Sequence, residues 1–192
     1  MNNGQYELAI AYLEKSIEKR PYLGPPHSNL GLTYLRWRRY EDAVEHFEEA
    51  MSRAPEDYRI TGNVARIYRL TGQVEKARDL YERAIEQARN GLSTNRRPSD
   101  VFILMGRYYA MLGRRADAVS AIREALKLRP DDPHYLLIAA TAYTVLGNTN
   151  RALELTERAV ELGYGSVQIL AEPELDALAA EPRYAKLVRS AD

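Results

Sequence analysis

The sequence contains no cysteine, which excludes disulfides, thiolate metal ligands and cysteine nucleophiles together. It has no charge of one sign to spare, because Lys and Arg total 27 and Asp and Glu also total 27. A polyanion such as nucleic acid is therefore not an expected partner. No apolar run approaches the ~20 residues needed to cross a bilayer. Met1 to Gln5 carry neither the charged nor the apolar region of a signal peptide. These absences lead us to expect a soluble, cytoplasmic chain with no membrane partner. The remainder, 45% hydrophobic and 28% charged over 192 residues, is ordinary globular composition with enough apolar material for a core.

Two residue series share one period. Tyr34, Tyr68, Tyr109 and Tyr143 are separated by 34, 41 and 34 residues. Ala9, Ala43, Ala77, Ala118 and Ala152 are separated by 34, 34, 41 and 34. A common period with a common seven-residue insertion marks a repeat array. The fullest unit runs His27, Leu30, Gly31, Tyr34, Ala43, Phe47, Ala50, Pro55, and a second runs Phe102, Met105, Gly106, Tyr109, Ala118, Ile122, Ala125, Pro130. Thr61, Val64, Ala65, Tyr68, Ala77, Tyr81 and Ala84 form another, with Arg89 in the proline slot. Leu136, Ala139, Ala140, Tyr143, Ala152, Thr156 and Ala159 form the last, with Tyr164 in that slot.

This pattern resembles the tetratricopeptide repeat at every signature position except the first, where His27 and Phe102 replace the usual Trp. The resemblance implies an all-α, right-handed superhelical solenoid of helix-turn-helix units. Small residues (Gly31, Ala65, Gly106, Ala140) would let paired helices approach closely. Gly72, Gly113 and Gly147 would end helices in the left-handed conformation, with Arg38-Arg39 standing at that point in the unit of Tyr34. Pro21, Pro55 and Pro130 would stop the second helices.

We expect helices near 5–19, 26–37, 40–53, 58–70, 74–89, 99–112, 116–128, 133–146 and 149–162. The organisation is a single array over 1–192: a half repeat at 4–23, repeats at 24–57, 58–91, 99–132 and 133–165, and an insertion loop at 90–98. Arg89, Arg96 and Arg97 lie in or beside that loop, which is read as a solvated insertion. Helix 5–19 carries an apolar stripe of Tyr6, Ala9, Ile10, Leu13 and Ile17 with no earlier helix to pack on, which suggests a fragment of a longer protein and an edge for homodimerisation. Residues 166–192 carry two acidic-proline pairs, Glu172-Pro173 and Glu181-Pro182, each opening a short helix. The tail resembles the closing segment of many bacterial arrays, where it caps the last helix and often ends a larger regulatory protein.

Catalysis is not expected, and neither is a metal or a cofactor. His27 falls in a packing slot, His46 beside Phe47 in mid-helix, and His134 near a helix start; no two have metal-ligand spacing. Gly163-x-Gly165 lacks the third glycine and the strand of a dinucleotide loop, and neither a G-x-S-x-G nor a P-loop pattern occurs. Glu41-Asp42 and Asp131-Asp132 sit at helix starts, where carboxylates favour the dipole and cap free amides.

The resemblance implies instead a concave groove, lined by first helices, for a peptide or protein segment. Counting from each tyrosine places Asn29, Asn63, Arg36, Arg59, Arg66, Arg69 and Arg107 on that face. Family members often use Asn at the position of Asn29 and Asn63 to grip a peptide backbone, since an amide both donates and accepts. The arginines suit an acidic or extended segment, although the first-unit Lys of the family's carboxylate clamp is absent here: Ser28 and Leu32 occupy the neighbouring slots. Two readings of the arginines stay open at this level: ligand contacts, or side chains solvated and paired with nearby acids.

Overall fold

Helix starts follow from side chains that satisfy free backbone amides. Asp57, Asp132 and Asn148 each cap a helix, accepting from the N–H of Arg59, of His134 and Tyr135, and of Arg151 respectively. The computed structural model describes residues 3–92 and 97–190. These contain α1 (Asn3–Lys19), α2 (Gly24–Arg36), α3 (Tyr40–Arg53), α4 (Tyr58–Leu70), α5 (Val74–Gly91), α6 (Pro98–Met111), α7 (Arg115–Leu128), α8 (Pro133–Val145), α9 (Thr149–Glu161), α10 (Ser166–Leu170), a 3-10 helix (Pro173–Leu178) and α11 (Pro182–Ser190). No strand occurs among the described residues, and the fold is all-α.

Every hairpin turn is built alike. The carbonyl of the signature tyrosine accepts from the N–H five residues on: Tyr34 from Arg39 (3.0 Å), Tyr68 from Gln73 (2.7 Å), Tyr109 from Arg114 (2.9 Å) and Tyr143 from Asn148 (2.9 Å). The residue before each donor must be left-handed, and Gly72, Gly113 and Gly147 have φ of 81°, 73° and 73°. Arg38 takes the same conformation, φ 63°, at the cost of a Cβ clash that glycine escapes.

The chain forms two compact units, residues 1–87 and 88–192, with the division inside α5. In the first, α2 packs on α1, α3 and α4. Gly31 has the Phe47 ring where a Cβ would reach 2.8 Å, and Phe47 is fully buried. The hydroxyl of Tyr68 donates to Glu48 Oε1 at 2.5 Å; burial first, and then Glu48, push its pKa up to about 12. Arg83 and Gln87 of α5 donate to the Pro55 carbonyl at 2.5 and 2.8 Å.

In the second unit, α6 pairs with α7 and α8 with α9, and α6 lies against α8. A Cβ on Gly106 would come within 2.6 Å of Ile122 Cγ1 and 3.2 Å of its backbone nitrogen, so the two backbones are close because position 106 has no side chain. The tail packs back on this unit: the 3-10 helix contacts α8, and α11 contacts α9. Leu175, Leu178 and Ile169 are buried there, and Arg183 pairs with Glu157 at 2.7 Å.

Two expectations need correction. The helix expected at 74–89 continues through Asn90 and Gly91, because Arg89 stands where the units of Tyr34 and Tyr109 have the helix-stopping Pro55 and Pro130. Ser93 to Arg96 of the insertion lie outside the described residues. The stripe on α1 is also not left bare. Tyr6 is buried, its hydroxyl donates to the Arg36 carbonyl at 3.0 Å, and its ring stacks on Trp37 at 5.5 Å. Ala9, Ile10, Leu13 and Ile17 are half-buried. The exposed apolar side chains of this region are Leu8, Tyr12 and Tyr22.

Two substitutions test these backbone constraints by thermal or urea unfolding. Gly106→Ala should lower stability by roughly 1–3 kcal/mol through overpacking against Ile122. Arg38→Gly should raise it by about 1 kcal/mol through relief of the left-handed residue. Tyr68→Phe tests the Glu48 bond. The parent should lose stability as pH rises from 10 towards 12, since a tyrosine pKa raised in the folded state makes ionisation favour unfolding. Urea titrations across that window should show a smaller loss in the variant.

Candidate functional site

The first helices of the hairpins, α2, α4, α6 and α8, differ in charge from the second helices. Arg36 lies on α2; Arg59, Arg66 and Arg69 on α4; Arg107 on α6. The one acid among these four helices is Asp100. The second helices carry most of the acids, Glu41, Asp42, Glu45, Glu48 and Glu49 on α3 with Glu75, Asp79, Glu82 and Glu86 on α5, but α5 balances its four with Lys76, Arg78, Arg83 and Arg89. The first helices of the unit of residues 1–87 are thus cationic, with four arginines and no acid, whereas in the unit of residues 88–192 Arg107 and Asp100 offset each other in formal charge.

In the unit of residues 1–87, α2 and α4 lie side by side. Asn63, nearly buried, donates its amide to Ser28 Oγ at 3.3 Å, which ties the two first helices together. Asn29 is exposed. The α4 arginines differ in setting. Arg59 is exposed and grips Asp57 through two bonds, Nε at 3.0 Å and Nη2 at 2.6 Å. Arg66 is only 3% exposed, and Arg36 and Arg69 are half-buried. Arg36, Arg59 and Arg66 are each engaged in further interactions within the protein.

Asp57 shows the balance of forces at this end of α4. Burial pushes its carboxyl upward, but bonds from the Arg59 side chain and from the backbone N–H groups of Arg59 and Ile60 outweigh burial and hold the pKa below the ordinary value. Arg59 is therefore largely neutralised locally. The pairing was open to sequence reasoning, because an N-cap Asp two residues before an Arg brings both to the same helix end.

In the unit of residues 88–192, Arg107 is 9% exposed and its guanidinium lies 6.0 Å from the Tyr108 ring centre. Among the described residues it meets no carboxylate, an uncommon state for a buried cation. Asp100 does not compensate it: its carboxylate accepts from the Tyr135 hydroxyl, which also lies 3.2 Å from Ser99 Oγ. Burial, and next the Asp100 bond, raise the Tyr135 pKa. Leu104, Ile138 and Thr141 occupy neighbouring groove positions on α6 and α8; Leu104 is half-buried, while Ile138 and Thr141 are buried.

Two of the three histidines, His27 and His46, lie 6.4 Å apart between ring centres. His27 is buried, His46 stacks on Tyr34, and His134 contacts the Tyr164 hydroxyl at 3.3 Å through Nδ1. Among the described residues no three His, Asp or Glu side chains cluster as metal ligands. No helix among them is long and apolar enough to cross a membrane.

Tetratricopeptide-repeat models match residues 1–21 and 26–57, 57–131, and 103–166, so that matches run through all the helical hairpins. The chain belongs to the tetratricopeptide repeat family. Proteins of this family are interaction scaffolds, generally without catalytic activity. Similar curated proteins include the cellulose synthase operon protein C of Pseudomonas fluorescens (strain SBW25), 31% identical over 62% of this chain and 9% of that protein. The human protein O-mannosyl-transferase TMTC1 is 25% identical over 86% of the chain and 18% of its own length. The chain therefore spans a small part of these relatives. Among solved structures, TTC0263, a thermophilic tetratricopeptide-repeat protein of Thermus thermophilus, superposes with a TM-score of 0.59 at 24% identity, over 97% of this chain and 92% of that one.

The Asp57 cap supplies a test with a definite pH sign. Asp57→Ala should cost about 1 kcal/mol at pH 7. Because the folded-state pKa is depressed, the contribution is complete above the ordinary carboxylate range and is lost as pH falls through the lower folded value. Urea unfolding at pH 7 and pH 3 should show the gap between parent and variant closing at the acid end.

Proposed function

We propose that this tetratricopeptide array is a non-catalytic scaffold that seats a peptide or protein segment of acidic, extended character on the face of its first helices. The observation that carries this reading is the run of four arginines on α2 and α4 with no acid on either helix. In the unit of residues 88–192 an incoming anion would give the Arg107 guanidinium, 9% exposed, charge-assisted hydrogen bonds that no carboxylate among the described residues supplies. Asn29, exposed on α2, adds an amide able to pair with an extended backbone. Arg36, Arg66 and Arg69 set the sign of the face in the other unit, whereas Arg59 acts chiefly on Asp57. The non-catalytic part of the reading is supported by the family, whose members are generally scaffolds. A cytoplasmic setting within a larger bacterial regulatory protein is the context we infer, from the resemblance of the tail to the closing segment of bacterial arrays.

A second reading, self-association through α1, is favoured by one observation: Leu8, Tyr12 and Tyr22 are 59%, 66% and 68% exposed. If a second copy covers this surface, Leu8→Glu with Tyr12→Glu should convert dimer to monomer in light scattering. An unchanged mass would discard the reading.

The main proposal is tested with panels of acidic, neutral and basic peptides in fluorescence anisotropy. Acidic peptides should bind preferentially and weaken with added salt. Arg69→Ala should weaken binding to the unit of residues 1–87 by roughly tenfold to a hundredfold, the range for loss of a charged hydrogen bond, and Arg107→Ala should do the same for binding to the unit of residues 88–192. Equal affinity in the parent and both variants would contradict the proposal.

A further inference from the structure

Two histidines of the first unit stand at positions that other repeats fill with different groups. His27 on α2 occupies the slot of Thr61, Phe102 and Leu136, and His46 on α3 occupies the slot of Leu80, Ala121 and Leu155. His27 is 8% exposed, and neither of its ring nitrogens meets a hydrogen-bond partner. The His46 ring faces it across the hairpin, 6.4 Å between centres. The Tyr34 ring lies parallel to His46 at 5.3 Å and 3°, and the Arg39 guanidinium sits 5.0 Å over Tyr34.

This arrangement accepts a neutral His46 and resists a protonated one: a charge there would lie 6.4 Å from the buried His27 ring, whose nitrogens meet no hydrogen-bond partner. The other charged groups around His46 are Glu14 of α1, Asp42 and Glu45 of α3, and Arg39 in the turn. Glu45, Asp42 and Glu14 favour a proton, but Asp42 is already gripped by Arg39 through two bonds of 2.8 Å. Burial opposes the proton more strongly than any of these groups favours it, with His27 adding to the opposition, so His46 is held below the ordinary histidine value.

We propose that His46, packed against the buried His27 ring, makes the α2–α3 hairpin an acid-opened element, closed while His46 is neutral and loosened when it takes up a proton. Opening frees His46 to titrate at the ordinary value near 6.5. The closed form is therefore intact above that pH and loses ground as pH falls below it, since the open form binds more protons. Ser28 moves with α2, so its bond from Asn63 is released with the hairpin. The device does not depend on what the first-helix face binds.

Hydrogen exchange on the full chain at pH 7.5 and pH 5.0 tests this, with α6–α7 as the reference hairpin in the same molecule because it carries Phe102 and Ala121 instead. After correction for chemical exchange rates, amides of α2–α3 should lose more protection between pH 7.5 and pH 5.0 than those of α6–α7. The difference should vanish in His27→Phe with His46→Leu. An equal change in both hairpins, or a loss that persists in the double variant, would overturn the proposal. If the double variant misfolds, an NMR titration of the parent's histidine rings decides the matter. His46 should titrate below the ordinary histidine value of about 6.5, and a midpoint at or above that value would overturn the proposal.

Discussion

The structure depends on how closely two helices of a hairpin approach. At Gly31 the partner is the Phe47 ring, and at Gly106 it is Ile122, including its backbone. Neither site has room for a methyl group. Once the distance is set, the other signature residues follow: buried alanines at 43, 77, 118 and 152 keep the second helix near, and the tyrosines fill the space beside them. A tight pair also needs a short turn. Each tyrosine carbonyl accepts the amide that closes it, and each turn places one residue in the left-handed region. Packing and turn chemistry thus state the same requirement twice, as expected where local and global preferences agree.

Much of this was legible in the sequence because small residues and prolines act through sterics that need little tertiary context. The helices at 40–53 and 58–70 match the expected bounds, since Pro55 and the alanine period flank them. Legibility failed where a side chain's role depends on a neighbour across the fold. Arg38 disfavours its positive φ by residue type, and only the repeat period, which aligns it with Gly72, points to the turn. The end of α5 reads short because the turn-forming residues at 90–98 mask a helix that no proline stops.

The candidate site divides along the same line. The identity of the first-helix residues followed from counting, but their depth did not. Arg66 and Arg107 sit at equivalent positions, two before a tyrosine, and both are buried. Arg59 lies on the same helix as Arg66, yet it is exposed and held by Asp57. Asn63 matches a peptide-gripping slot but donates its amide to Ser28, one period plus one residue away. The stacking of His46 on Tyr34 and the facing of His27 are cross-hairpin relations that no single helical pattern displays.

The central claim is that a ligand meets this chain on the first helices, above all on the cationic α2 and α4. The most direct measurement is an amide chemical-shift map recorded while an acidic peptide is titrated into the labelled protein. The account predicts that, within the unit of residues 1–87, the largest shifts fall on α2 and α4, around Asn29 and Arg69, and that any in the other unit fall on α6, around Arg107. Shifts concentrated on α3, α5, α7 or α9, among the acids of the second helices, would contradict it.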